Sequence, residues 1–474
     1  MTAPAPVTAP VTIPASAPDD ATLTPPAPAA SAAALTPPAP VLTRRPGRWI
    51  DGWDPEDPAY WQHVGRKVAR RNLGGSVYAE LIGFCVWALW SVVVPQLPGA
   101  GFALTVDQQF WLIAVPSLVG AFMRVPYTFA VPVFGGRNWT IISALLLLIP
   151  AASLAWVVQR PETSFAVLLA IAGLAGFGGG NFASSMTNIS FFYPEREKGK
   201  ALGLNAAGGN LGTGLVQLAV PLVITAGAGV HLERAGLVFI PLALLGALIA
   251  WRWMDNLAGV ASDPQSFAAA GRNPHTWLIS VLYIGTFGSF IGYAGALPTL
   301  LKTQFPEVGL SVAFLGALVG ALSRPVGGIL ADRVGGARLT IVCFGVLALG
   351  ALGAVLGLQQ HSFGLFFGSF LLLFVASGVG NGSTYRMIPA IFRAGVAPAG
   401  LGRARLAAAG CLGIAGAVGA LGGFLVPRGF ALSTSAAGSL VPALVLFAGV
   451  YVAMAAATWT VYVRRSSAFA AEGV

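Results

Sequence analysis

The sequence predicts an all-α integral membrane protein whose twelve transmembrane helices form two pseudo-symmetric halves of six. Three observations lead to this fold class. First, the 474 residues are 56% hydrophobic and only 9% charged, whereas soluble domains are about 25% charged. Second, apolar runs of about 20 residues, long enough to cross a bilayer, recur along the chain. Third, several distinctive residues recur at a spacing of 200 positions.

The apolar runs define the predicted helices. Because lipid offers no hydrogen-bond partners to an open backbone, each run is predicted to be a helix. The twelve predicted spans cover roughly residues 76–98, 108–134, 139–158, 163–192, 200–226, 234–254, 275–301, 311–332, 337–358, 362–392, 403–427 and 438–463.

The basic residues predict the orientation of the chain. The net charge is +10, and most of the 27 lysines and arginines fall on the side of both termini. This positive-inside pattern predicts a multi-pass membrane protein with cytoplasmic termini. It explains the basic charge without a nucleic-acid partner. Cys85, Cys343 and Cys411 fall within spans and have neither disulfide nor metal-ligand spacing, so no metal or cofactor is predicted.

Polar segments divide the chain. Residues 1–43 are almost entirely Ala, Pro, Thr and Val, which predicts a disordered cytoplasmic leader. Residues 44–75 are aromatic and charged and are predicted to be a cytoplasmic juxtamembrane segment. The remaining predicted divisions are 76–254 for the N-terminal half, 255–274 for a cytoplasmic loop between the halves, 275–463 for the C-terminal half and 464–474 for a cytoplasmic tail.

Two arginines carry the most informative signal. Arg124 and Arg324 each lie inside a hydrophobic segment, and ten residues separate each of them from a Gly-Gly pair, at 135–136 and 335–336. A charged group at that depth is costly and is normally kept for a pathway or a ligand. Its recurrence in register indicates a duplicated membrane protein with one cationic site between its halves.

The arginines need a counter-charge. None of the 17 carboxylates is predicted at mid-span, because Glu80 is placed near the start of span one. A mobile anion is therefore the simplest partner, and the planar guanidinium suits planar oxyanions. The alternative is that the arginines bond to helix-end carbonyls or extend to an interface. Arg386 lies outside the repeat, so bonding to carbonyls or extension to an interface is favoured for this residue. Arg386 is therefore only a possible secondary ligand of the anion.

A glycine-rich pattern also recurs in both halves. Gly178, Gly180 and Asn181 of span four match residues 378, 380 and 381 of span ten. Small residues let membrane helices approach closely, so the glycines are assigned to packing. Asparagines can instead donate to an anion, with Asn210 of span five the main candidate. The possible secondary contacts are Asn181, Asn188 and Asn381. No strand precedes the pattern, which argues against a phosphate-binding loop.

These motifs resemble those of a known family. Parallel six-helix halves are the organisation of major facilitator transporters, and residues 327–336 resemble that superfamily's cytoplasmic loop motif. Residues 176–212 and 378–385 resemble the paired nitrate motifs of the nitrate/nitrite porter family, and 53–58 resembles its N-terminal segment. The resemblance covers about residues 50–465.

The resemblance implies a nitrate or nitrite site between the halves. Arg124 and Arg324 would clamp the anion, and Asn210 would donate a hydrogen bond. Tyr283 would contact the anion, which Phe182 and Phe287 would sandwich. An integral-membrane enzyme would need a nucleophile, a metal cluster or an acid/base pair inside the bundle, and the predicted spans show none, so an enzyme is not expected. The expected partners are nitrate, nitrite and the lipid bilayer, and a monomer is expected to function. The resemblance also implies the inner membrane of a prokaryote as the location.

The transport mode is inferred from charge. Exchange of nitrate for nitrite by alternating access is electroneutral and is the favoured hypothesis. Nitrate/proton symport is the main alternative. It calls for a titratable group along the path, and none is predicted at mid-span. A water-mediated proton path could still use Tyr283 or groups near the span ends. An anion channel and a membrane nitrate sensor are less favoured, because the repeat indicates alternating access and no output domain is evident.

Overall fold

The computed structural model describes residues 42–260 and 264–464, together with Phe469 and Val474. Within these ranges twelve helices are long and apolar enough to cross a membrane, which confirms the predicted number. They are labelled α1 to α12 in chain order: Pro58–Gln96, Val106–Phe134, Gly136–Val157, Phe165–Phe192, Glu195–Ile224, Glu233–Trp253, Pro274–Gln304, Ala313–Val334, Gly336–Gln359, Phe363–Arg393, Pro398–Ala437 and Val441–Arg464.

The first helix begins much earlier than its apolar run. The Asp57 carboxylate accepts a hydrogen bond from the Ala59 N–H at 2.8 Å, and Pro58 occupies the first helical position. An acceptor side chain followed by proline is a strong helix start. α1 therefore begins at Pro58 rather than near residue 76, and a division at residue 75 falls inside this helix.

The Gly-Gly pairs of the repeat have the same structural role in both halves. Gly135 and Gly335 end α2 and α8 with φ angles of +85° and +91°, a conformation that favours glycine. The second glycine of each pair is in tight contact with α4 or α10. A Cβ at Gly136 would lie 1.8 Å from Asn188 Oδ1, and a Cβ at Gly336 would lie 2.6 Å from a methionine side chain.

Glycines also set the closest helix crossings. A Cβ at Gly178 would lie 2.1 Å from the carbonyl oxygen of Gly83, so α4 packs directly on the backbone of α1. A Cβ at Gly378 would lie 2.2 Å from the carbonyl oxygen of Gly320, which gives the same contact between α10 and α8. The glycine-rich pattern thus brings backbones together, as expected of small residues in membrane bundles.

The chain enters α1 and leaves α12 at one end of the bundle, which we call the terminus side. There Asp255, just after α6, is fully buried and forms ion pairs with Arg44 at 3.2 Å, with Arg48 at 2.9 Å and with Arg71. Asn72 bonds to both its backbone and its carboxylate. The segment before α1 is thereby fixed to the end of α6.

Short strands and a helix complete this side. β1 (Arg44–Arg45) pairs antiparallel with β2 (Trp49–Ile50), which pairs parallel with β3 (Asn256–Leu257). The predicted loop 255–274 also contains a helix, Pro264–Arg272, which packs on α11. The predicted leader 1–43 and tail 464–474 lie almost wholly outside the described residues.

The two halves touch each other at the end of the bundle opposite the terminus side. Asp107 on α2 and Arg428 on α11 form an ion pair at 2.8 Å, and the Arg428 guanidinium lies 4.1 Å from the centre of the Trp111 ring. Trp111 also packs against Phe424, with ring centres 5.7 Å apart. These contacts hold α2 of the first half against α11 of the second.

Candidate functional site

Arg124 lies in the interior of α2 and is 1% exposed. Its Nε donates to the carbonyl oxygen of Gly179 on α4 at 3.3 Å, and its Nη1 donates to the carbonyl oxygen of Gly416 on α11 at 2.5 Å. Its Nη2 has no hydrogen-bond partner within the described part of the chain. The side chain therefore spans both halves and retains one donor group for a further acceptor.

Arg324 occupies the matching position on α8 and is 7% exposed. Its Nη2 donates to the Tyr283 hydroxyl at 3.4 Å, and that hydroxyl donates to Asn381 Oδ1 at 2.7 Å. Its Nη1 lacks a partner among residues 42–260 and 264–464. Tyr283 and Asn381 thus orient this arginine from within the second half, and one donor again remains.

Two phenylalanines bring the arginines together. The rings of Phe182 on α4 and Phe287 on α7 are stacked with centres 6.2 Å apart and an interplanar angle of 25°. The Arg124 guanidinium lies 4.6 Å from the Phe182 centre and 5.0 Å from the Phe287 centre. The Arg324 guanidinium lies 5.8 Å from the same Phe182 ring. The four side chains therefore meet at one place between the halves, with Arg124 in cation–π range of both rings and Arg324 in range of Phe182.

Two further aromatic residues that sequence reasoning did not include contact the arginines. The Trp87 ring of α1 lies 5.7 Å from the Arg124 guanidinium, and the Tyr385 ring of α10 lies 5.6 Å from that of Arg324. Tyr385 closes the second glycine-rich motif, residues 378–385, which was the available signal for it. Trp87 lies outside both motifs, and nothing in the sequence distinguishes it from a packing residue.

Asn210 lies on α5 and is 1% exposed. Neither its Nδ2 nor its Oδ1 has a hydrogen-bond partner in the described chain, and the same holds for the Thr213 hydroxyl one turn later. The preceding residue Gly209 faces α1, and Gly214 one turn on faces α8. Asn210 is thus an unsatisfied buried amide on a helix that packs on both halves, although no contact joins it to the arginines.

The other predicted secondary residues have different roles. Asn181 donates to the Ala79 carbonyl, and Asn188 donates to the Ser76 hydroxyl, both at 3.4 Å, so they join α4 to α1. Arg386 forms an ion pair with Asp332 and is about half exposed. Its side chain is directed to that carboxylate rather than to the arginine pair.

Glu80 is a buried carboxylate that the sequence analysis did not assign to the site. It lies near the start of the apolar part of α1 and is fully buried where this helix packs against Gly209 of α5. Its Oε2 accepts a hydrogen bond from Asn205 Nδ2 at 2.6 Å, while Oε1 has no partner among the described residues. Its contact with Gly209 joins residues far apart in the chain, so no local sequence pattern predicts its burial.

The fold and this site define a class of protein: a twelve-helix secondary transporter with a cationic site between two halves. Residues 80–420 match the Major Facilitator Superfamily. Solved structures agree on the fold. The inward-open xylose transporter XylE of E. coli superimposes with a TM-score of 0.62 at 16% identity, covering 83% of this chain and 97% of that one. A D-xylose-proton symporter gives 0.60 at 17% identity, with 82% and 96% covered.

Curated relatives narrow the class. The nitrate/nitrite transporter NarU of Salmonella typhimurium is 42% identical over 88% of this chain and 96% of its own length. NarU of Escherichia coli K12 is 41% identical over 87% and 96%. The probable nitrate/nitrite antiporter NarK2 of Thermus thermophilus is 38% identical over 74% and 85%. The chain therefore belongs to the nitrate/nitrite porter family of the Major Facilitator Superfamily. This confirms the resemblance and the predicted fold, and it makes the protein a transporter rather than an enzyme.

Proposed function

We propose that the protein carries nitrate and nitrite across the membrane and that the anion binds between Arg124 and Arg324. The main support is a pair of buried guanidinium groups beside one phenylalanine ring, each with a donor group that no described residue accepts. Buried charge is tolerated only when it is paired and hydrogen-bonded. A mobile anion supplies the missing acceptor, and a planar oxyanion fits the planar guanidinium.

The aromatic rings favour a flat anion. Phe182 and Phe287 have ring centres 6.2 Å apart. A flat ligand between two parallel rings needs about 7 Å, which is twice the ~3.5 Å contact distance of carbon atoms. The two rings, tilted by 25° with centres 6.2 Å apart, would therefore have to move apart to admit nitrate. Tetrahedral oxyanions such as sulfate are thicker and carry a second charge, so they should be rejected.

Exchange of nitrate for nitrite is the transport mode that we propose. Uptake of a lone anion against the membrane potential costs about 2.3 kcal/mol per 100 mV, whereas one-for-one exchange is electroneutral. Two cationic side chains without an anion resist closure of the halves around them, and this couples the conformational change to anion occupancy. The relative NarK2 of Thermus thermophilus carries the description of a probable nitrate/nitrite antiporter, which supports this mode.

We place the terminus side in the cytoplasm. The ion pairs of Arg44, Arg48 and Arg71 with Asp255 lie on that side, and basic residues accumulate on cytoplasmic faces. The contact of Asp107 with the second half then lies on the external side. The two six-helix halves, α1–α6 and α7–α12, would rock about the arginine pair. Every proposed anion contact comes from one chain, so a monomer would suffice.

The test is nitrate uptake by purified protein in liposomes loaded with nitrite or with an inert anion. The expected result is uptake that depends on internal nitrite, and its loss in Arg124→Ala and Arg324→Ala. Arg160→Ala is the matched control, because this arginine is exposed and its guanidinium group contacts the exposed Trp156. Wild-type uptake by Arg124→Ala at equal protein density would refute the proposed site.

A further inference from the structure

A small cavity lies next to the arginine pair, between helices of both halves. Its walls include Trp87 and Ser91 of α1, Ser117 of α2, Thr213 of α5 and Ile291 of α7. The Trp87 ring also lies 5.7 Å from the Arg124 guanidinium, so the cavity and the arginine site share this ring. The cavity has a volume of about 20 Å³, which is room for one water molecule.

The cavity is displaced from the arginine pair towards the end of the bundle opposite the terminus side, here called the outer end. Consecutive spans alternate in direction, so α7 runs towards the outer end and α2 runs away from it. On α7, Ile291 follows Phe287 by one turn, and on α2, Ser117 precedes Arg124 by two turns. These steps place the cavity about 5–10 Å beyond the arginine site. It therefore lies on the route between the outer end and the arginines.

The Thr213 hydroxyl is an unused hydrogen-bond donor in the wall of this cavity. Thr213 is 3% exposed, and its hydroxyl has no partner in residues 42–260 and 264–464. A threonine inside a helix can satisfy its hydroxyl with the carbonyl oxygen one turn back, as Thr128 and Thr140 do at 2.8 Å. Because a buried hydroxyl without a partner costs free energy, Thr213 has the property of a ligand-binding group rather than of a packing group.

The Ser117 hydroxyl is the second donor that the cavity offers. A Cβ at Gly423 of α11 would lie 2.6 Å from Ser117 Oγ, so this glycine leaves room for the hydroxyl. The other polar groups of the wall are already bonded, since the Trp87 indole N–H and the Ser91 hydroxyl donate to backbone carbonyl oxygens at 2.8 and 2.6 Å. Thr213 and Ser117 are therefore the two side chains of the wall that can donate to a ligand.

Gln217 closes the space beyond the cavity. It follows Thr213 by one turn of α5, and its Nε2 donates to the Ala294 carbonyl oxygen of α7 at 2.6 Å and to the Ser91 hydroxyl at 3.3 Å. The first bond joins the two halves, so it must break when they separate at the outer end. Asn210, Thr213 and Gln217 share one face of α5. Such a polar stripe inside a membrane is costly and is typical of a substrate pathway.

We propose that this cavity is an outer subsite for the transported anion, in which nitrate or nitrite accepts hydrogen bonds from Thr213 and Ser117 while the outer end is open. The inference rests on the anion site proposed above and adds a second binding position to it. Neutral hydroxyl donors bind an anion more weakly than the two arginines, so the anion moves on from the subsite to Arg124. When Gln217 closes the space again, the cavity holds only a water molecule. The subsite therefore acts on anions that enter or leave through the outer end.

The test compares nitrate entry from the two ends of the bundle, in right-side-out and inside-out membrane vesicles loaded with nitrite. T213V keeps the shape of the side chain but removes its hydroxyl. Its KM for nitrate should rise by about tenfold in right-side-out vesicles, through loss of a hydrogen bond to an anion, and should stay within about twofold of wild type in inside-out vesicles. T213S keeps the hydroxyl and is the matched control, with a wild-type KM from both ends. S117A should show the same one-sided effect as T213V.

The outcomes separate the subsite from the arginine site. An unchanged KM from the outer end in T213V overturns the subsite and leaves the arginine site standing. An equal rise from both ends overturns it as well, because it would make Thr213 part of the site that both ends share. If T213V is inactive from both ends, S117A decides by the same criterion. Absence of nitrite-driven uptake in wild type overturns the proposed function and the subsite together.

Discussion

Replacement of Arg124 by lysine keeps the positive charge but should weaken nitrate binding strongly. The arginine uses three nitrogens in three directions: one donates to Gly179, one to Gly416, and one is available to the anion. A single ammonium group cannot reach all three. Loss of one hydrogen bond from a charged donor costs about 1.5–3 kcal/mol, which corresponds to about 10- to 150-fold weaker nitrate binding.

The assay can use the protein's own fluorescence. The Trp87 ring lies 5.7 Å from the Arg124 guanidinium, so nitrate titration in detergent should change tryptophan emission, with uptake in liposomes as a second readout. Arg324→Lys is the comparison. Arg324 makes one long hydrogen bond, 3.4 Å to the Tyr283 hydroxyl, so its replacement should weaken nitrate binding less. Nitrate affinity in Arg124→Lys within about twofold of wild type, at unchanged thermal stability, would refute the reasoning.

Three smaller changes test other contacts. Gly136→Ala places a Cβ 1.8 Å from Asn188 Oδ1 and should destabilise the folded protein by about 1–3 kcal/mol. This loss should appear as a lower melting temperature in detergent. The control Gly199→Ala adds a Cβ with nothing within 4 Å and should not lower the melting temperature. Tyr283→Phe removes the hydroxyl that bonds to both an arginine and an asparagine, and should raise the KM for nitrate by about fivefold through loss of ~1 kcal/mol; an unchanged KM would remove Tyr283 from the site. Asp107→Asn weakens the ion pair between the halves and should increase labelling of a cysteine placed beside it; equal labelling would show that the pair does not hold this end closed.

The repeat could be predicted from the sequence because its chemistry is rare. A charged residue within an apolar run stands out, and the matching glycines, residues 135 and 335, are required by a positive φ that few other residues adopt. The positions of Phe182 and Phe287 came from family resemblance, and the structure brings both beside the arginines. No periodicity could have placed them there.

The start of α1 and the burial of Glu80 were missed for physical reasons. Hydropathy finds the apolar part of a helix, whereas the helical backbone begins where its first N–H groups are capped. The Asp57 cap and Pro58 start α1 well before the apolar run, so the predicted start of this helix was too late. The burial of Glu80 depends on Gly209, a residue far along the chain. A contact of this kind is decided by the packing of α5 on α1 and leaves no local pattern.

The two arginines are equivalent in the repeat but not in their hydrogen bonds, and this difference assigns them separate tasks. Among the described residues, the hydrogen bond of Arg324 stays within its own half, to Tyr283 of α7. Arg124 bonds to Gly416 in the opposite half, so its environment changes when the halves move apart. Loss of Arg124 hydrogen bonds should therefore affect both anion affinity and the rate of conformational exchange, whereas changes at Arg324 should act mainly on affinity. In transport kinetics, Arg124→Lys should therefore change both kcat and KM, whereas Arg324→Lys should change KM alone. A reduced kcat in Arg324→Lys with unchanged kcat in Arg124→Lys would reverse the assignment.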